Sequence, residues 1–424
     1  MICFDCITLA PLKKWTLKHS EQGICNYCCN AGECVKDESL FDYILERVDE
    51  NVCTQDDLSH FELGMIYEGG SDDIPVQTID IVLAEWLNLG DEKYFENLMK
   101  YLPKEYTKDE DGSDKHYYDD DGNLENNIFE EKWIKFVDGI RHSHRFFNPG
   151  AKEFLASLFS FLNASNEKLR PEFTRTIFKG EELYRARTAS SFADAKRMQE
   201  EPMSQFALAP KERVGNQRMT PNGIPALYCA FERKTCLSEI RAITGDHVVS
   251  VGLTPIKTLI LLDLTTLERI ENPESTLLES GYRNTLNLHG FIRSLVKKMS
   301  RPKGRNDELV YLSTQVVFEY LRLTFSSQVH GLVFPSVQTG EKGTNVVLFP
   351  EYSKVSKEFF TPPDDIDKVF EDGLEQIFEE PAYLACVAGS VRFHKVKAII
   401  TEADEYDRIY KLYESDLDKR RMMF

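Results

Sequence analysis

Apolar positions recur at helical spacing through the first part of the chain. Leu40, Tyr43, Ile44 and Val48 fall on one face of a 3.6-residue period, and so do Ile79, Leu83, Trp86 and Leu87. Asp91 stands where an N-cap would, ahead of a helix carrying Tyr94, Phe95, Leu98 and Met99. The pattern stops over 103–131, where Asp, Glu and Lys crowd around Gly112 and Gly122. This stretch reads as a solvated acidic loop with a small hairpin at Asp121-Gly122. Helical spacing resumes at Trp133, Phe136, Val137 and Ile140, and again over 151–162. Near residue 175 the period changes. Short apolar runs at 183–185, 226–228, 248–253, 258–262, 331–334 and 345–349 read as strands. Helices over 232–243 and 307–326 separate them, and a final strand pair falls within 390–400.

The pattern predicts an α+β protein in three parts. These are a Cys-rich module at 1–36, a helical region at 37–170 and a mixed domain at 175–405, with the boundary in the polar stretch 163–171. With 424 residues, 42% of them apolar, the chain can build two or three cores. No stretch reaches the roughly 18 apolar residues of a membrane span. The opening Met1-Ile2-Cys3-Phe4-Asp5-Cys6 has neither a basic nor an apolar leader region, so a cytoplasmic protein is expected. A net charge of −19 argues against general nucleic-acid binding, which relies on Lys and Arg. An acidic chain that handles an anionic ligand must instead gather a few arginines in one place.

Cysteines change the picture at the N-terminus. Six of the ten lie between Cys3 and Cys34. Cys3, Cys6, Cys25 and Cys28 form two Cys-x-x-Cys knuckles, the pattern of a closed, structural zinc site. Cys29 and Cys34 compete as ligands. Zinc would help fold a segment too small for its own core.

Candidate chemistry in the mixed domain is spread over four segments. Leu183-Tyr184-Arg185-Ala186-Arg187 reads as a strand with Arg185 and Arg187 on one face, suited to clamping a pyrophosphate. Arg218 precedes the constrained turn Pro221-Asn222-Gly223-Ile224-Pro225, which feeds Ala226-Leu227-Tyr228. Glu239 lies four residues after Thr235 on a helix whose inner side carries Cys236, Ile240 and Ile243. Tyr311, Gln315 and Tyr320 sit in an otherwise apolar helix leading to Gly331, Pro335-Ser336 and Asn345. Taken singly, each segment also fits an ordinary strand edge, turn or helix surface.

Their order is more specific. Leu-Tyr-Arg, Arg-x4-Gly-Ile-Pro-Ala-Leu-Tyr, Thr-x3-Glu, Tyr-x3-Gln, Gly-x3-Pro-Ser and Asn-x2-Leu-Phe together resemble the RES-domain family across about 180–400. The resemblance implies a fold similar to that of ADP-ribosyltransferases, with a split β-sheet. It also implies an NAD-degrading toxin or defence effector, held by an antitoxin partner, that uses phosphate or water as acceptor of the ADP-ribose. Carried over position by position, Arg185, Arg218, Tyr228, Glu239, Ser336 and Asn345 match the family's site residues.

In chemical terms Glu239 would stabilise the oxocarbenium-like ribose, with Arg218 and Tyr228 beside it. Arg185, Arg187, Ser336 and Asn345 would hold the dinucleotide. The knuckles and helices before residue 145 resemble the HEPN-like region often joined to RES domains. Arg141-His142-Ser143-His144-Arg145 lacks the Arg-x4–6-His spacing of HEPN ribonucleases, so RNA cleavage is not expected. Two other readings remain at this level: ADP-ribosylation of a protein, and a non-enzymatic interaction protein. The products formed from NAD separate them.

Overall fold

The structure is a computed structural model, and it describes residues 1–67, 75–124, 126–164, 166–300, 309, 311–340, 342–362 and 382–398. In chain order the N-terminal elements are β1 (Ile2–Cys3), α1 (Ala10–His19), β2 (Glu21–Ile24), β3 (Ala31–Val35), α2 (Asp37–Asn51), β4 (Cys53–Thr54), α3 (His60–Tyr67) and β5 (Val76–Gln77). Next come α4 (Ile79–Ile81), which continues as a π-turn over Val82–Trp86, then α5 (Phe95–Tyr101), β6 (Tyr117–Tyr118), α6 (Ile128–His142) and α7 (Pro149–Leu158). The strand-rich part begins with β7 (Thr174–Ile177), β8 (Leu183–Ala189), α8 (Phe192–Glu200), α9 (Pro202–Gln205), β9 (Leu227–Ala230), α10 (Arg233–Glu239), β10 (His247–Pro255) and β11 (Leu259–Asp263). It ends with α11 (Tyr282–Ser300), α12 (Leu312–Phe325), β12 (Gly331–Ser336), β13 (Gly343–Leu348), β14 (Val355–Phe360), β15 (Leu384–Val387) and β16 (Arg392–Lys395).

The chain divides into two compact units. Of the described residues, one comprises Met1–Ile134 with Ile270–Arg293, and the other Lys135–Arg269 with 294–398. In the first unit α2 buries Leu40, Phe41, Ile44 and Val48, the stripe that the spacing predicts, and Asp37 and Glu38 complement its N-terminal dipole. These residues join one core with Ile79, Leu83 and Leu98. Two small sheets, ordered β1-β3-β2 and β4-β6-β5, flank the helices.

Two sequence expectations change here. Helix α5 starts at Phe95, with Tyr94 rather than Asp91 at the N-cap, and the Glu92 carboxylate accepts from Thr8 N at 2.9 Å. The acidic stretch is not simply solvated. Tyr117 and Tyr118 within it form the central strand β6 and are buried, because two aromatic residues outweigh their charged neighbours once β4 and β5 pair on either side.

The second unit is built on one curled ten-stranded sheet, ordered β14-β15-β10-β8-β9-β13-β12-β11-β7, with β16 paired to β10. This is the α+β class that the strand and helix pattern predicts. Strand β10 is buried from Val248 to Pro255, as a central strand requires. Its apolar side chains meet Leu183, Leu227, Leu261, Val333 and Val346 in the main core. The sheet has a weak seam. Strands β8 and β9 share the single pair Tyr184↔Ala230, whereas β8 and β10 pair over seven residues. Among the described residues of 390–400 there is one strand, β16, where the sequence pattern suggests a pair. Residues 399 and 400 lie outside the described residues.

Candidate active site

Strands from both sides of the seam contribute to a cavity of about 330 Å³. Arg185 and Ala186 come from β8, Tyr228, Cys229 and Ala230 from β9, and Asn345 from β13. Helix α10 adds Cys236 and Glu239, and Gln217, Arg218, Arg241 and Tyr311 supply further polar lining.

Helix α10 reaches the sheet because β13 begins with Gly343. A Cβ there would lie 2.0 Å from Thr235 Oγ1, so a larger residue would force the helix outward. Glu232, just before the helix, accepts from Thr235 Oγ1 at 2.8 Å and from Thr344 N at 3.0 Å, fixing the helix start to β13. Glu239 stands at the other end. Its Oε1 accepts from Ser336 Oγ at 2.5 Å and from Asn345 Nδ2 at 2.7 Å. Both donors are buried, at 0% and 4% exposure, so the carboxylate is held by groups that cannot wander. Oε2 has no hydrogen-bond partner among the described residues. One oxygen is thus clamped by neutral donors while the other stays available.

The arginines differ from one another. Arg185 bridges the seam, donating from Nη1 to Tyr228 O at 2.9 Å where the backbone ladder is sparse. Its Nε is buried without a hydrogen-bond partner, and burial lowers its pKa. A guanidinium stays protonated even so, so Arg185 is a desolvated cation with unused donor capacity. Arg218 lies over the Phe334 ring at 5.9 Å and has no carboxylate partner among the described residues. Its segment is pinned from two sides. Gln315 Nε2 donates to Asn216 Oδ1 at 2.5 Å and to Gln217 O at 2.7 Å, and Met219 N donates to Tyr228 OH at 3.0 Å. Burial pushes the Tyr228 phenol up to about 12, so it remains a neutral hydroxyl at working pH.

The structure therefore gathers Arg185, Arg218, Tyr228, Glu239 and Asn345 around one space. Ser336 is fully buried and acts on that space only through Glu239. Arg187 shares a face of β8 with Arg185 but does not line the cavity; it is exposed and donates to Gln205 O at 2.5 Å. Tyr320 stacks on Phe159, with ring centroids 5.9 Å apart, and is not among the lining residues. Sequence reasoning missed Arg241, Cys229 and Cys236 as lining residues. The thiols lie beside named site residues, and burial raises both, which makes them poor nucleophiles.

In the other unit the Sγ atoms of Cys3, Cys6, Cys25 and Cys28 lie within 4.8 Å of one another. Tetrahedral thiolates about 2.3 Å from zinc sit roughly 3.8 Å apart, so a small closure would complete such a shell. Cys25 Sγ already accepts from Cys3 N at 3.3 Å and Tyr27 N at 3.4 Å. Cys29 and Cys34 are outside the group of four.

Comparison with protein families bears on the mixed unit. The family model of the RES domain matches residues 182–365, so this part of the chain is a RES domain. That family is associated with NAD-related toxin–antitoxin systems. The match does not extend to the helical N-terminal region, and the HEPN-like resemblance has no support from it. Comparison with curated proteins and with solved structures gave no match. Among the described residues no helix is long and apolar enough to cross a membrane.

Proposed function

We propose that the cavity binds NAD and cleaves its nicotinamide–ribose bond. The observation that carries this reading is Glu239: a carboxylate with one oxygen clamped and the other free, in a cavity that also holds three guanidinium groups. The lining charge is opposite in sign to that of the whole chain, −19, and suits a substrate carrying a pyrophosphate. As the bond to nicotinamide breaks, positive charge grows on the ribose. Glu239 Oε2 stabilises that charge, while Ser336 and Asn345 keep the carboxylate from turning away. Arg185 and Arg218 bind the phosphates. Tyr228 provides an aromatic face for a ring of the dinucleotide. The nicotinamide leaves as a neutral base, and the electrons of the broken bond remain with it.

Incubating the protein with NAD, with and without inorganic phosphate, tests this. Free ADP-ribose identifies hydrolysis, phosphorylated ADP-ribose identifies phosphorolysis, and label on protein identifies a transferase. Intact NAD under all conditions would sink the proposal and favour a non-enzymatic role. The toxin–antitoxin association of RES domains makes an inhibitory partner protein part of this reading.

The four-cysteine group belongs to the same proposal as a structural zinc site. Four thiolates leave no open position, so zinc would take no part in the chemistry. Metal analysis should find one zinc per chain, and Cys25→Ser should lose it. Purified protein free of zinc overturns this part.

A further inference from the structure

Arg241 lies two residues beyond Glu239, lines the same cavity and is exposed. Its backbone φ is 49°, the left-handed region that favours glycine. It follows the C-cap of α10, where such a conformation ends a helix and glycine is the usual occupant. The turn that follows is fixed. Ile243 N donates to Asp246 Oδ2 at 2.9 Å, and Gly245 N donates to Val396 O at 2.9 Å. Asp246 is thereby engaged with backbone. The Arg241 side chain makes no hydrogen bond or ion pair among the described residues. A strained residue held rigidly at a cavity, with its charge unanswered, marks a ligand clamp.

We propose that Arg241 is a phosphate-binding group at the cavity mouth. It takes an oxyanion either from the pyrophosphate of a bound dinucleotide or from a free phosphate ion. The choice of natural ligand rests on the NAD reading above, but the anion site itself does not. A guanidinium offers paired donors to such an oxyanion. Arg185 is half-buried in strand β8, whereas Arg241 is exposed and positioned to meet the anion as it enters.

The full-length chain should be titrated calorimetrically with inorganic pyrophosphate as Arg241, R241K and R241G proteins. R241G should weaken binding by about tenfold or more, the loss of one charge-assisted contact, and R241K should fall between. The thermal midpoint of R241G should not drop, because glycine relieves the left-handed strain. Unchanged pyrophosphate affinity in R241G, or no pyrophosphate binding by the native chain, overturns the inference. NAD assays then separate the sources. A higher KM for NAD in R241G with unaltered phosphate dependence assigns the dinucleotide. Lost stimulation by phosphate with unaltered KM for NAD assigns the free ion. If pyrophosphate binds through Arg241 but NAD is left intact, the NAD reading fails and this site stands.

Discussion

Two arginines set the compact units apart. Arg283 in the first unit donates to Asp57 Oδ1 at 3.0 Å and to Asp120 Oδ2 at 3.3 Å. Burial would lower its pKa, but Cys53, Asp57 and Asp120 together raise it above the ordinary value. Asp120 is itself saturated, accepting also from Asn287 Nδ2 at 2.9 Å and Gly122 N at 2.7 Å on its other oxygen. Arg185 in the second unit is desolvated with only a backbone carbonyl for a partner. The first cation is part of a closed structural network; the second is left open for an anion. Unpaired buried charge is costly to a fold, so its presence at a cavity points to a ligand more strongly than the identity of the residue does.

The largest expected effect concerns the free carboxylate oxygen. Glu239→Gln keeps a carbonyl oxygen for Ser336 and Asn345, so thermal stability should hold while NAD turnover falls by about 10²–10³-fold. Wild-type turnover in this variant would remove Glu239 from the chemistry. Next comes the direct test of the comparison. Arg283→Met should cost about 3–5 kcal/mol by denaturant unfolding, because it strands the buried Asp120. Arg185→Met should cost under about 1.5 kcal/mol, the loss of one neutral-acceptor hydrogen bond, yet weaken NAD binding. Equal stability losses would break the distinction. Gln315→Leu releases the Asn216-Gln217 segment and should raise KM for NAD several-fold with little change in kcat, since it acts on the position of Arg218.

The smallest effect involves pH. His394 lies 2.8 Å from Ser250 Oγ, which also accepts from Arg233 Nη1 at 2.6 Å. Burial first, then Arg233, lowers the His394 pKa from the ordinary 6.5. The unfolded chain therefore takes up a proton that the folded chain resists. Stability from this site is complete above pH 6.5 and is lost as pH falls through that value toward the folded pKa. His394→Gln should flatten this limb of the stability–pH curve, and an unchanged limb would place its cause elsewhere.

The central strands were legible because they are apolar runs, and β8 to β13 lie close to where the pattern puts them. Strands β7, β14 and β15 escaped notice. β7 is polar at Thr174, Arg175 and Thr176, and β7 and β14 lie at the ends of the sheet, where hydrophobic pattern is weak; β15 is buried but only four residues long. The α10 region shows a finer limit. Its sequence reads as helix to Ile243, but the helix ends at Glu239 and Arg241 turns left-handed without a glycine to announce it. That single backbone reversal hid a lining residue. Ser336 illustrates the opposite case. Its position in the motif was readable, but its role as a fully buried clamp on Glu239 depends on a contact 97 residues away in sequence.

The seam between β8 and β9 also has a mechanical meaning. A sheet joined there by one residue pair and one arginine side chain is two stiff plates sharing a hinge line. Amides along that line should exchange with solvent sooner than those of β10, and opening it would widen the cavity without unfolding either plate. Binding an anion on Arg185 would brace the joint, so occupancy should register as protection of the seam before it registers anywhere else in the sheet.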